Sequence, residues 1–218
     1  MDTPSLVFIQ HLAIWTIPVL YAITMHEAAH GYVAMLLGDK TAYMLGRVSL
    51  NPFKHIDPVG TVAIPLLLVF LGGFIFGWAK PVPVNEHSFK HPKRDLAIVA
   101  MAGPLSNLLM AILWALVIKF SFFLRDAGYA EAAILHSVGS AGIIANVVLG
   151  MFNLLPIPPL DGSKVVYSLI SRRLYFFYSK LESVGFIILL GLIVTGLLND
   201  ILGPMVSACF ELITSIVF

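Results

Sequence analysis

In the first apolar run, the stretch "ITMHEAAHGY", residues 23–32, sets Glu27 between His26 and His30. Histidines at i and i+4 of a helix share one face about 6 Å apart along the axis. That spacing lets both imidazoles hold one zinc ion, with the intervening glutamate as general base toward the water such an ion activates. The alternative is a pair of core histidines beside a carboxylate that faces a water-filled cavity. Glu27 is the only formally charged side chain from Thr3 to Gly38. A carboxylate at the centre of a membrane helix costs about 2.5–3.5 kcal/mol, and ionisable groups kept at that depth mark functional sites by default. Catalytic zinc takes three protein ligands and leaves a fourth position open. Asp161, in "NLLPIPPLDG", is the candidate third ligand, because Pro156, Pro158 and Pro159 stop the preceding helix there. Its other reading is a turn residue that caps the next helix.

These residues must be positioned by membrane helices. The 218-residue chain is 59% hydrophobic and only 11% charged, with mean hydropathy +0.92. A soluble domain carries about 25% charged residues. The uncharged runs Leu96–Ile118 and Ala132–Leu160, with the Thr3–Gly38 run, are long enough to span a bilayer, and Ser183–Asn199 is marginal. The expectation is an all-α polytopic membrane protein of about five transmembrane helices. To these it adds a broken or re-entrant apolar segment over 59–78 and a small membrane-associated β element from "GRVSL", 46–50, and "PVPV", 81–84. All 218 residues form one membrane domain, with a core over about 6–166 and C-terminal helices over about 167–218. A net charge of +1 offers no basic face for nucleic acid, and the lone Cys209 excludes an internal disulfide and a cysteine zinc site. The start "MDTPSL" lacks the basic region of a cleavable signal peptide.

Together with HEAAH, the stretches "AGPLSN" (102–107) and "NLLPIPPLDG" (153–162) resemble the site-2 protease family of intramembrane zinc metalloproteases. "GRVSLNPFKHIDPVGT" and "GWAKPVPVN" are similar to its short bacterial members, and the likeness covers roughly 21–166. It implies zinc as cofactor, with His26, His30 and Asp161 as ligands and Glu27 as catalytic base. It also implies a place near the site for Asn107, polarising the scissile carbonyl or fixing a substrate strand. Its alternative is a hydrogen bond to a neighbouring helix. Gly103 is expected to serve close helix packing, and Asn153 to hold the unwound proline segment through backbone bonds. No PDZ domain or CBS pair is read from the sequence. The implied activity is hydrolysis of a peptide bond in or near the transmembrane segment of a membrane protein, as in regulated intramembrane proteolysis. Two rivals use the same residues: a metal transporter, and a non-proteolytic relative that binds membrane helices.

Helices that share one ion through His26, His30 and Asp161 must run parallel, so one net crossing lies between them. Asp95–Lys119 supplies it, and 59–78 must then enter and return. With that parity the loop cations from Lys40 to Arg94 fall on one side together with Lys164, Arg172, Arg173 and Lys180. Only Lys119 and Arg125 fall on the other. The positive-inside rule makes the crowded side cytoplasmic. The expected setting is a bacterial inner membrane, with the metal near the cytoplasm, the N-terminus outside and the C-terminus inside. The partners expected are a transmembrane protein or peptide substrate and the bilayer, with a homo-oligomer or regulatory membrane partner left open. His55, Asp57, His87 and His91 read as solvated loop residues, and His136 lies on the far side.

Overall fold

The computed structural model describes residues 4–64 and 79–218. Helix α1 (Pro4–Leu36) carries the HEAAH motif in its C-terminal half. It stops at Gly38, whose φ of 113° is open to glycine. There the Asp39 N–H reaches the Ala34 carbonyl at 2.9 Å and the Gly38 N–H reaches Met35 at 3.2 Å, the Schellman pattern of helix ends. Short α2 (Thr41–Met44) follows. Helix α3 (Pro92–Asp126) starts with Pro92 where no N–H is needed, and Asp95 accepts the His91 N–H at 3.0 Å. Helix α4 spans Ala132–Asn153, α5 Asp161–Leu169, α6 Arg172–Glu182, α7 Gly185–Thr195 and α8 Leu197–Val217.

Small residues set how the helices meet. A β-carbon on Gly142 would lie 2.3 Å from the Trp114 ring, and one on Gly139 would lie 2.7 Å from Ile118. Farther along, Gly150 faces Asn107 and Pro104. As α3 runs from 104 to 118, its partners on α4 run from 150 back to 139, so the two helices are antiparallel. Likewise Asn107 lies against Ala22, and Val99 against His30, so α3 is antiparallel to α1. Helices α1 and α4 are therefore parallel with α3 between them, as a shared ion requires. The core is apolar and centred on α3, α4 and α8, with Ala111, Ala115, Ile143, Val147 and Leu202 buried.

Four expectations change. Among the described residues four helices, not five, are long and apolar enough to cross a membrane. Helix α7 has 11 residues. At about 1.5 Å per residue that is roughly half of a bilayer's ~30 Å core. It begins beside Pro158 at the metal end and turns at Gly196, φ 80°. Helix α8 then continues to the opposite end, where Lys119 Nζ donates to the Val217 carbonyl at 2.7 Å and Phe122 lies against Phe218. So α7 and α8 form one broken crossing, and the C-terminus ends opposite the metal site, not on its side.

The strand pair is also not formed: among the described residues there is no strand, and 46–50 and 81–84 are irregular. Pro81 and Pro83 have no N–H, and the one between them, on Val82, is given to a side chain of α1. Finally, His55 is buried, not solvated, with Nε2 on the Ser49 carbonyl at 2.9 Å. Residues 58–63 form a π-helical turn, while most of the expected re-entrant segment, 65–78, lies outside the described residues.

Candidate metal centre

His26 and His30 project from consecutive turns of α1 toward Asp161, the first residue of α5. All three are buried. Asp161 Oδ2 lies 3.1 Å from His26 Nε2 and 3.0 Å from His30 Nε2, and the two Nε2 atoms are 3.0 Å apart. The inner nitrogens decide what this triangle is. His30 Nδ1 lies 2.7 Å from the Val99 carbonyl, which can only accept, so Nδ1 carries the proton. His26 Nδ1 lies 2.7 Å from Asn107 Oδ1, again an acceptor. In the neutral rings both Nε2 atoms therefore present lone pairs to a carboxylate oxygen. Three acceptors converging in a buried space repel one another unless a cation lies among them. Tetrahedral zinc with bonds of about 2.0–2.1 Å needs donors roughly 3.3 Å apart, close to this triangle. Among the described residues this is the group of metal-ligating side chains that the fold brings together.

The backbone around the triangle leaves room for an ion. A β-carbon at Gly103 would lie 2.4 Å from His30 Nε2 and 2.6 Å from His26 Nε2, so only glycine keeps the space open. The packing role expected of Gly103 is thus packing against the two imidazoles. Gly162 performs a parallel service for Asp161. Its β-carbon would strike the Leu154 carbonyl at 2.2 Å, so the chain can fold from the proline segment into α5 with glycine alone at that place. Lys164, one turn along α5, holds the other Asp161 oxygen at 3.1 Å. Sequence reasoning passed over Lys164, although its i+3 spacing from Asp161 was visible.

Glu27 is not part of the triangle. It is half-buried, and its Oε2 accepts the Val82 N–H at 2.9 Å. The segment that brings Val82 there is fastened on both sides. The Lys80 N–H reaches the His55 carbonyl at 2.9 Å, and the Asn85 N–H reaches Asp39 Oδ2 at 2.7 Å. Gly31, one turn past Glu27, allows the approach: its β-carbon would lie 3.2 Å from Val82 and 3.0 Å from Val48. Burial pushes the Asp39 carboxyl up, but its bonds from the Thr41 side chain and from the Asn85 and Thr41 backbones outweigh that and hold it below the usual carboxylate range.

For Asn107 the structure shows the alternative given above, a bond to neighbouring helices, and for Asn153 it departs from the expectation. Asn107 is fully buried, and its amide hydrogens go to the Ala22 carbonyl at 3.1 Å and Asn146 Oδ1 at 3.0 Å. Both amide hydrogens are thus taken by neighbouring helices, and Oδ1 faces His26 Nδ1. Asn153 donates to the Leu149 carbonyl of its own helix at 2.9 Å, not to the proline segment. That segment is held by Tyr178, whose hydroxyl donates to the Pro156 carbonyl at 2.8 Å. His136 packs against Phe122, far from the triangle, as expected.

Comparison with known proteins agrees with this chemistry. Residues 123–195 match the model of Peptidase family M50, a stretch that contains Asp161 but not the histidine pair. The chain is 41% identical over 193 residues to a Bacillus subtilis protein named "Putative zinc metalloprotease YwhC", covering 88% of this chain and 85% of that one. It is 30% identical over 193 residues to "Putative zinc metalloprotease Rip2" of Mycolicibacterium smegmatis, covering 88% of this chain and 70% of that one. A third relative, "Stage IV sporulation protein FB" of Bacillus subtilis, is 30% identical over 151 residues, 66% of this chain and 47% of that one. No solved structure gives a significant match. Zinc is the metal that the first two relatives are named for, and the buried triangle of lone pairs is where it fits. With so much of YwhC covered at this identity, and with HEAAH and LDG brought together in space, the chain belongs to peptidase family M50.

Proposed function

We propose that this protein is a zinc endopeptidase that hydrolyses a peptide bond in or near the transmembrane segment of a membrane-protein substrate. The observation that carries the reading is the convergence of lone pairs from His26, His30 and Asp161 beside a carboxylate, Glu27, that stands outside the triangle. Zinc, when bound by the three, supplies the Lewis acidity that activates water and polarises a carbonyl. Glu27 is the base: it takes a proton from the attacking water and returns it to the leaving amine. The Val82 N–H fixes one oxygen of that carboxylate, and Asn107 and the Val99 carbonyl keep the imidazoles in the tautomer that offers Nε2. The substrate must unwind first, because a helical peptide bond has its N–H and C=O already engaged.

Regulated intramembrane proteolysis in a bacterial inner membrane is the setting that family membership and charge distribution favour, with the site toward the cytoplasm. A transporter would need ligand sets at successive depths, and among the described residues one set is found. A helix-holding protein would have no use for Glu27. The test is purified protein with a single-span substrate. Glu27→Gln should keep about one zinc per chain and abolish cleavage, while alanine at His26, His30 or Asp161 should lose both. Zinc lost with Glu27→Gln but kept with Asp161→Ala would overturn the assignment.

A further inference from the structure

We infer that Asn146, on α4, is a positioning residue for the metal centre: it fixes the orientation of the Asn107 amide and, through it, the tautomer of His26. The inference rests on the zinc reading above and assigns a role to a residue that touches neither metal ligand nor substrate. The side chain of Asn146 is completely buried, as is that of Asn107. Its Nδ2 donates to the Gly142 carbonyl at 2.9 Å. A carbonyl can only accept, so this bond dictates that Asn146 turns its Oδ1 toward α3. That oxygen takes a hydrogen from Asn107 Nδ2 at 3.0 Å. With its nitrogen so engaged, and also bonded to the Ala22 carbonyl at 3.1 Å, Asn107 must present Oδ1 to His26. Oδ1 accepts the Nδ1 proton of His26 at 2.7 Å, which leaves Nε2 as a bare lone pair facing Asp161. The polarity of each group is set by the one before it, and the series starts on a backbone carbonyl that cannot change sign.

The packing of α4 on α3 is arranged for this contact. Asn146 lies between Gly142, which admits the Trp114 ring, and Gly150, whose β-carbon would lie 3.3 Å from Asn107 Cβ. Side chains at either glycine would hold the helices apart and separate the two amides. Without Asn146, one hydrogen of the fully buried Asn107 amide loses its partner. Only the Ala22 carbonyl then opposes a flip of the amide, and the flipped form would give a donor to His26 Nδ1 and move the ring proton to Nε2, the atom the metal needs.

Zinc affinity, measured by chelator competition on purified protein, tests this without reference to cleavage. Asn146→Leu, close in size but apolar, should weaken zinc binding by about 10- to 100-fold, the range for residues that orient a ligand. Asn146→Asp, which in its neutral form has the same donor and acceptor pattern, should restore affinity to within about threefold of wild type. The Asn107→Ala background separates positioning from packing. There Asn146→Leu should add almost no further loss, because its effect runs through Asn107. Equal losses in both backgrounds, or unchanged affinity in Asn146→Leu, would overturn the relay. Wild-type protein that takes up no zinc would overturn the zinc reading together with it. Thermal unfolding of the zinc-free proteins shows whether any variant is merely misfolded.

Discussion

At the scale of single residues, the metal centre depends as much on what is missing at position 103 as on what is present at 26, 30 and 161. A methyl group there would fall within 2.6 Å of both Nε2 atoms, which is inside the space an ion must occupy. Because Gly103 lies within α3, where alanine suits a helix better than glycine does, Gly103→Ala should fold and insert normally. It should nevertheless lose zinc by at least about 100-fold, beyond what changes around ligands usually cost. Elemental analysis of the purified variant checks this, and full occupancy would mean that the imidazoles shift to make room. The histidines and Asp161 were legible from the sequence because metal ligation restricts residue type and spacing together. Asn146 was not. An asparagine in an apolar run carries no mark that separates ordinary helix-to-helix bonding from orientation of a ligand. For Asn107 the sequence left a substrate role and a helix-to-helix bond open for a related reason: proximity could be read, but the partners of its amide hydrogens could not.

At the scale of elements, the segment between Lys80 and Phe89 matters most. Read as a strand, "PVPV" would offer an edge. In the fold the Val82 N–H goes to Glu27, and the following Asn85 N–H goes to Asp39, just past the end of α1. Main-chain donors leave no trace in a sequence, so this contact could be learned only from the structure. Val82→Pro removes the donor and should lower cleavage by roughly 10- to 100-fold, as expected for a hydrogen bond to a charged group worth about 1.5–3 kcal/mol. Val82→Ala keeps the N–H and should stay close to wild type, with zinc content unchanged in both. Turnover of a model substrate decides it, and equal activity in the two variants would remove Val82 from the site.

The Asp39 fastening makes its own prediction. Its folded pKa lies below the usual carboxylate value, so the stability it contributes is present above that value and lost as pH falls through the lowered one. Wild type should therefore exceed Asp39→Asn in thermal stability at pH 7. The gap should persist down to about pH 4 and close only below it. A gap that is constant down to the most acid condition would mean that the charge is not what matters.

At the scale of the whole molecule, charge and ligand geometry give one orientation, and the broken α7–α8 crossing adds a consequence that the sequence alone did not reveal. Parallel α1 and α4 were foreseeable, since two helices that contribute to one ion must approach it from the same direction. The direction of the last two helices was not, because an expectation of about five spans puts the C-terminus back on the metal's side. Helix α7 is too short to cross, and Gly196 redirects the chain without reversing it. As a result Val217 and Phe218 meet Lys119 and Phe122, at the end of α3 remote from the triangle. If the metal centre faces the cytoplasm, the C-terminus faces outside. A reporter that is active only outside the cytoplasm, fused after Phe218, should therefore be active, and one that fluoresces only inside should be dark. Single cysteines near Lys54 and Lys90, in a background with Cys209 replaced, should resist an impermeant thiol reagent added from outside. One placed at Gly128, in the turn after α3, should react. A dark outside reporter with the same cysteine pattern would restore the inside C-terminus and require α7 to lengthen into a full crossing. Reaction at Lys54 and Lys90 with protection at Gly128 would invert the whole molecule and place the zinc site on the outer side.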